Sequence, residues 1–223
     1  MPDSIHHGAI LHTSDAHVAR FTGLLDQAPG ELLIEQRVHP SLLELAQRDG
    51  WRAESVHSAT AEVIRGFKTQ GFPAVVCTCS TIGPVADTIG HDIGIPVFRI
   101  DRPMMREAIT RGGRICVLAA LESTREPTLD LLMDEAQRQS RSPSDCKFEV
   151  VPTAWSHFSS GDNDAYLRSI ATAIDAIDPD HFDICVLAQV SMADAAQYAN
   201  ARIPILTSPI SGLQPLIKKI SDR

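Results

Sequence analysis

Several things are scarce or missing in these 223 residues, and each absence narrows the function. Lys and Arg number 20 against 28 Asp and Glu, for a net charge of −8. The basic residues form no cluster, which argues against a nucleic acid or an anionic membrane surface as partner. No apolar run approaches the roughly 20 residues needed to span a bilayer. Residues 1–8 are polar and lack a basic segment followed by an apolar one, so a signal peptide is not expected. No stretch rich in Gly, Ser or Pro separates one part of the chain from another. Gly83, Gly90 and Gly94 do not build a phosphate-cradling loop, and no GxGxxG follows the first strand, so a nucleotide enzyme is not expected. The 5 cysteines are odd in number. Cys77, Cys79, Cys116 and Cys185 lie in apolar runs, the usage of reduced cytoplasmic thiols and not of a secreted disulfide framework. Cys77 and Cys79, two apart on a strand, share a face, but no second CxxC or His pair completes a zinc site. No metal is expected, and Cys77 is read as a small core residue.

What is present is a repeat. Phe72 opens Phe-Pro-Ala-Val-Val-Cys-Thr-Cys-Ser-Thr, and Phe182 opens Phe-Asp-Ile-Cys-Val-Leu-Ala-Gln-Val-Ser. Superposed, the runs set Cys79 against Gln189 and Thr81 against Ser191. Each is followed by a polar-capped helical stretch and then by a short apolar strand, 95–98 and 203–206. A repeat spanning half the chain reads as two halves of one fold.

Strand-like and helix-like patterns alternate throughout. Strands are expected over 8–12, 32–38, 75–78, 114–119, 148–151, 184–188 and 204–206. Helices are expected over 16–27, 58–70, 127–137, 166–177 and 214–220. Alternation of this kind gives parallel sheets covered by helices. The expected fold is α/β: two pseudo-symmetric lobes, each a short parallel sheet with flanking helices, and a site in the cleft between them. The boundaries fall at 1–103 with the terminal helix 209–223, and at 104–208.

In open α/β folds ligands bind beyond the carboxyl ends of strands. Those ends carry Thr13 and Ser14; Cys79, Ser80 and Thr81; Ser123 and Thr124; Gln189, Val190 and Ser191; Thr207 and Ser208. Hydroxyls and backbone N–H groups at helix starts suit a carboxylate or other small anion, although capping is the commonest work of Ser and Thr. A helix N-terminus beside Cys79 is expected to lower its pKa.

Val76-Cys77-Thr78-Cys79-Ser80-Thr81 is similar to the first cysteine motif of the aspartate/glutamate/hydantoin racemase superfamily, which includes arylmalonate decarboxylase and maleate isomerase. Residues 113–119 resemble the strand opening that family's second half, and residues 186–193 its second cysteine motif. The resemblance implies a cofactor-free enzyme working at the carbon beside a carboxylate. Two cysteines flank the substrate in its racemases: one removes the α-proton, the other returns a proton to the opposite face. By the same resemblance, Cys79 takes the first cysteine's place, Ser80 and Thr81 its anion-binding neighbours, and Ser14 and Thr124 looser loop positions.

Gln189 stands where the second cysteine belongs, and glutamine neither gives nor takes a proton. Three chemistries remain open: Cys79 alone protonates a planar intermediate left by decarboxylation, Cys79 adds covalently to an activated substrate, or another residue serves as second acid. Gln189 fits the first two as an oxyanion donor. The expectation is an isomerase or lyase with Cys79 as single thiol, a small carboxylate substrate, no cofactor and a cytoplasmic location. A homodimer is the common assembly for such enzymes. The alternative is a small-anion-binding or catalytically decayed relative, distinguished by whether Cys79 is reactive.

Other residues carry weaker readings. His91 and His157 are conceivable bases for Cys79, but spacing nominates neither. His6, His7, His12 and His17 read as surface or capping residues, with His12 bordering the site at most and helix spacing keeping it from His17. Arg99, Asp101 and Arg102 read as a surface or interlobe ion pair. Trp155, Phe158 and Tyr166 read as helix packing.

Overall fold

A computed structural model describes residues 6–28 and 32–222. The polar opening stretch up to residue 5 lies outside the described residues. The chain divides into two compact units, one of residues up to Ile100 together with those from Pro209 onward, the other Asp101–Ser208.

The first unit is built on strands β1 (His6–His12), β2 (Leu32–Val38), β3 (Val75–Cys77) and β4 (Val97–Arg99). They pair in parallel in the order β2-β1-β3-β4. Helices α1 (Ala16–Leu25), α2 (Pro40–Asp49), α3 (Glu54–Thr69) and α4 (Gly83–Ile93) connect them, and α9 (Pro209–Ser221) returns from the end of the chain. One face of the sheet buries Ala9, Leu11, Val75, Cys77 and Val97 against Leu42, Ile64, Phe67 and Ile89 of the connecting helices. The terminal helix packs on β1, β3 and β4. It lies so close that a Cβ on Gly212 would stand 2.1 Å from the Ile100 carbonyl oxygen, so only glycine fits.

The second unit repeats the plan. Strands β5 (Arg114–Ala119), β6 (Asp145–Val150), β7 (Ile184–Leu187) and β8 (Ile205–Leu206) form a parallel sheet in the order β6-β5-β7-β8. Helices α5 (Arg102–Arg111), α6 (Arg125–Arg138), α7 (Ala154–Ser159) and α8 (Asn163–Asp175) flank it. Period-two alternation sends Ile115, Val117, Ala119, Ile184 and Val186 to one face, against Met104, Met105, Leu131 and Leu132. Cys116, Leu118, Cys185 and Leu187 go to the other, against Tyr166, Leu167 and Ile170. Continuous apolar strands are buried on both faces, as parallel sheets require.

The two parallel four-stranded sheets agree with the α/β expectation. The strand over 114–119 has the expected ends. His6 and His7 belong to β1, contrary to the reading that they precede it. Two ten-residue helices, α2 and α5, were not anticipated. Each carries a proline in its first turn, where the missing N–H has no partner to lose. After β7 the chain makes a 3-10 turn, Val190–Gln197, and not an α-helix. Met192 and Ala195, three apart, are both fully buried in it, the spacing that three residues per turn aligns.

Candidate active site

Both sheets have the strand order 2-1-3-4, in which connections leave the two central strands in opposite directions. Beyond the carboxyl ends of those central strands lies the usual ligand position of such folds. In the first unit these ends bring the loop after β1, with Thr13 and Ser14, beside the loop after β3, with Thr78, Cys79, Ser80 and Thr81. Cys79 is 8% exposed, Ser80 6%, Thr81 2% and Thr13 6%.

Four donors meet the Cys79 sulfur: the hydroxyls of Thr13 and Thr81, and the backbone N–H groups of Thr81 and Ile82. The two N–H groups stand just ahead of α4, so the helix start points at the sulfur. Burial nevertheless dominates and pushes the thiol above its ordinary value, with the donors opposing it. The expectation of a lowered pKa is therefore corrected: at neutral pH the group rests as S–H. The donors stabilise the anion whenever it forms. Ser14 accepts the Ala16 N–H at 3.4 Å, a local turn at the head of α1. Cys77 turns its thiol onto the Cys79 carbonyl oxygen at 3.7 Å. No group of three or more metal-ligating side chains occurs among the described residues.

His12 is the residue whose place differs most from the reading of the sequence. It is fully buried, with Nδ1 2.9 Å from the Thr78 hydroxyl and Nε2 2.9 Å from Gln36 Oε1. Its ring centroid is 6.0 Å from that of His17, because the turn ahead of α1 folds the helix start back over the strand end. Helix spacing could not show this, since His12 lies on the strand. Burial lowers the pKa of both rings, His17 to about 3, with His12 and Arg20 adding to the effect on His17. His91 is exposed in the last turn of α4, about 12 Å along the helix from the end nearest Cys79. It is no base for that thiol.

In the second unit, the position equivalent to Cys79 holds Gln189, half-buried beyond β7. Its Oε1 accepts the Ala120 N–H at 2.6 Å. That N–H can only donate, so the carboxamide oxygen is fixed toward it and Nε2 remains as the donor end. Val190 is buried at the start of the 3-10 turn, and Ser191 shares a 2.7 Å hydrogen bond with Tyr166. Tyr166 is thus more than helix packing, for its hydroxyl fixes a strand-end residue. Trp155, Phe158 and Tyr166 form a chain of ring contacts at 5.1 Å each. Thr124 is fully buried at the head of α6, and Ser123 Oγ, beside it, is buried with no hydrogen-bond partner among the described residues.

Arg99 and Asp101 are buried, at 4% and 1% exposure, not on the surface. Arg102 pairs with Asp134 and, at 2.7 Å, with the buried Glu135, which Arg106 also reaches at 3.1 Å. A groove of about 450 Å³ opens at the amino ends of β5 and β6, lined by Arg114, Cys116, Lys147, Asp178 and Phe182 among others. Several of its charges are paired: Arg114 with Asp183, Lys147 with Glu149 and Asp178 with His181. It lies at the wrong end of the strands to be the site.

Comparison with known proteins agrees with this architecture. The profile of the Asp/Glu/Hydantoin racemase family matches residues 25–213. A glutamate racemase of Bifidobacterium longum subsp. infantis is 24% identical over 181 residues, 75% of this chain and 67% of that protein. The structure of an aspartate racemase from Picrophilus torridus superposes with a TM-score of 0.73 at 13% identity, over 96% of this chain and 94% of that one. A mutant of arylmalonate decarboxylase gives 0.56 at 15% identity, over 96% and 93%. At these identities the structural likenesses speak for the fold. The profile match covers well over half of the sequence, and on it the chain belongs to the Asp/Glu/Hydantoin racemase family.

Proposed function

We propose that this protein is a cofactor-independent isomerase or lyase that transfers a proton at the carbon next to the carboxylate of a small acid, with Cys79 as its single catalytic thiol. The observation that carries the reading is the buried Cys79 sulfur with four donors around it. A thiol resting as S–H is an acid, and surrounding donors make it a usable one, because they hold the thiolate left behind.

The step is the protonation of an enediolate. The Sγ–H bond breaks, the enediolate electron pair takes the proton at the α-carbon, and the thiolate settles among Thr13, Thr81 and the Ile82 N–H. When the enediolate arises by loss of carbon dioxide, the thiolate regains its proton from water and no second acid is needed. When it arises by loss of an α-proton, another base must accept that proton. Gln189 has none to exchange, so symmetric two-thiol racemisation is disfavoured. Its Nε2–H supplies instead a donor for the developing oxyanion.

Ser80 and Ser191 belong to the loops that bind the carboxylate in this reading. All five thiols are free, which suits a cytoplasmic enzyme. Among the described residues no helix is long and apolar enough to cross a membrane. A homodimer, with neither nucleic acid nor membrane as partner, completes the proposal.

The test is alkylation of Cys79, followed by peptide mass mapping, with panels of amino acids, hydantoins, malonates and other dicarboxylates. Protection by one class names the substrate family. Labelling unaltered by every panel contradicts the reading.

A further inference from the structure

We propose that His12 is a positioning residue for Cys79: its imidazole braces the ends of β1 and β3 so that the Thr13 hydroxyl reaches the sulfur. The inference rests on the reading of Cys79 as the catalytic thiol and concerns how that thiol is held.

The brace is a directed chain of hydrogen bonds. Thr22 Oγ1 donates to the Val18 carbonyl at 3.0 Å, so its oxygen is left to accept Gln36 Nε2 at 2.9 Å. Gln36 must then present Oε1 to His12, and His12 Nε2–H donates to it at 2.9 Å. With Nε2 carrying the proton, Nδ1 of the neutral ring accepts the Thr78 hydroxyl at 2.9 Å, in preference to the Leu11 carbonyl oxygen that this hydroxyl meets at 3.2 Å. One side chain therefore ties the edge strand β2, the end of β1 and the loop after β3. Its chain neighbour on one side is Thr13, a donor to the sulfur, and its partner Thr78 is the neighbour of Cys79.

Packing alone does not explain an imidazole here. His12 is fully buried, as are Ile10 and Leu11 just before it, and a hydrocarbon would fill the place without the desolvation that burying a ring nitrogen entails. The repeat supplies an internal comparison. Leu11 pairs with Cys77 in the first sheet and Leu118 with Leu187 in the second. By that register Ala119 is the counterpart of His12, and Ala188 that of Thr78. The second unit has neither the thiol nor the brace. Its counterpart of Cys79, Gln189, is held directly by the Ala120 N–H, and Ala120 is the counterpart of Thr13. At this pair of positions the side-chain brace stands in the unit where a hydroxyl is aimed at a sulfur.

The test is the pH profile of Cys79 alkylation in the full-length protein. Thr78→Val removes the hydroxyl that His12 holds, Thr78→Ser keeps it, and Gln36→Met cuts the far end of the brace at a half-buried edge position that tolerates the change. Thr78→Val and Gln36→Met are expected to move the midpoint upward and slow labelling below it by about three- to tenfold, a tenfold change being one pKa unit. Thr78→Ser is expected to follow the wild-type profile. Thr13→Val, which removes a donor itself, serves as reference. A shift in Thr13→Val with none in Thr78→Val or Gln36→Met overturns the brace and leaves the thiol reading standing. No shift in any of them overturns the brace and the donor-held thiol together. A fall in melting temperature without a change of midpoint marks His12 as structural and contradicts the proposal. Should Thr78→Val not fold, Gln36→Met decides.

Discussion

The carboxamide oxygen of Gln189 accepts the backbone N–H of Ala120 at 2.6 Å, the same pair of strand-end positions that in the other repeat joins Thr13 to Cys79. The chain has kept the geometry of its repeat and changed the chemistry at this pair of positions. An amide stands in the second unit where the first has a thiol, and its oxygen is spent on the backbone. In the proposed mechanism it contributes an N–H donor.

Gln189→Glu separates these two roles. A carboxylate still accepts the Ala120 N–H, so unfolding free energy is expected to change by no more than about 1 kcal/mol. The Nε2 donor is gone, and turnover is expected to fall by about 10²- to 10³-fold, the usual loss on removing one oxyanion donor. Denaturant unfolding and steady-state rates on the identified substrate check both. Undiminished turnover would remove Gln189 from the mechanism.

Tyr166→Phe deletes the hydroxyl bonded to Ser191 at 2.7 Å and leaves the ring packing intact. The expected loss of stability is about 1 kcal/mol by urea unfolding. No measurable loss would mean that the ring contacts, and not the hydroxyl, hold the 3-10 turn.

Acid should destabilise the fold through its buried histidines. His17 titrates near 3 in the folded chain because burial disfavours its charge, against an ordinary value of 6.5. The unfolded chain therefore binds the extra proton between those values. Stability is complete above pH 6.5 and falls as pH drops toward 3, by about 1.4 kcal/mol per pH unit for this one residue. His17→Gln is expected to flatten that slope in urea midpoints taken from pH 7 to 4. An unaltered slope would contradict the assignment.

Gly212→Ala places a methyl 2.1 Å from the Ile100 carbonyl oxygen, a backbone atom that cannot swing aside. The expected cost is about 2 kcal/mol or more as α9 lifts from β1, β3 and β4. Thermal unfolding measures it, and a near-neutral result would show that α9 docks loosely.

Much of this was legible in the sequence, and the misses have identifiable physical causes. The strand over 114–119 announced itself because it is apolar on both faces. Phe148, by contrast, marked only the middle of β6, since an edge strand beginning Asp-Cys-Lys does not look buried. Helix α2 had its signals, a proline at the start and Leu42 and Ala46 four apart on the buried side. Helix α5 has a signal of the same kind in Pro103, which stands in its first turn. Cys79, Thr13 and Thr81 could be nominated from their places at strand ends. The direction of the thiol's pKa could not, because the balance between desolvation and four donors depends on burial that no pattern reports. His12 was underestimated for a related reason. Its partners Gln36 and Thr78 are 24 and 66 residues away and meet it only through strand pairing.

The measurement that bears most directly on the central claim is deuterium incorporation. The protein is incubated in deuterium oxide with each class of small carboxylate, and the α-carbon is followed by proton NMR, for wild type and for Cys79→Ala. The account predicts deuterium at the α-carbon of one class, as an exchanged substrate or a decarboxylated product, and none with Cys79→Ala. Incorporation that survives Cys79→Ala, or none from any class with the wild type, would contradict it.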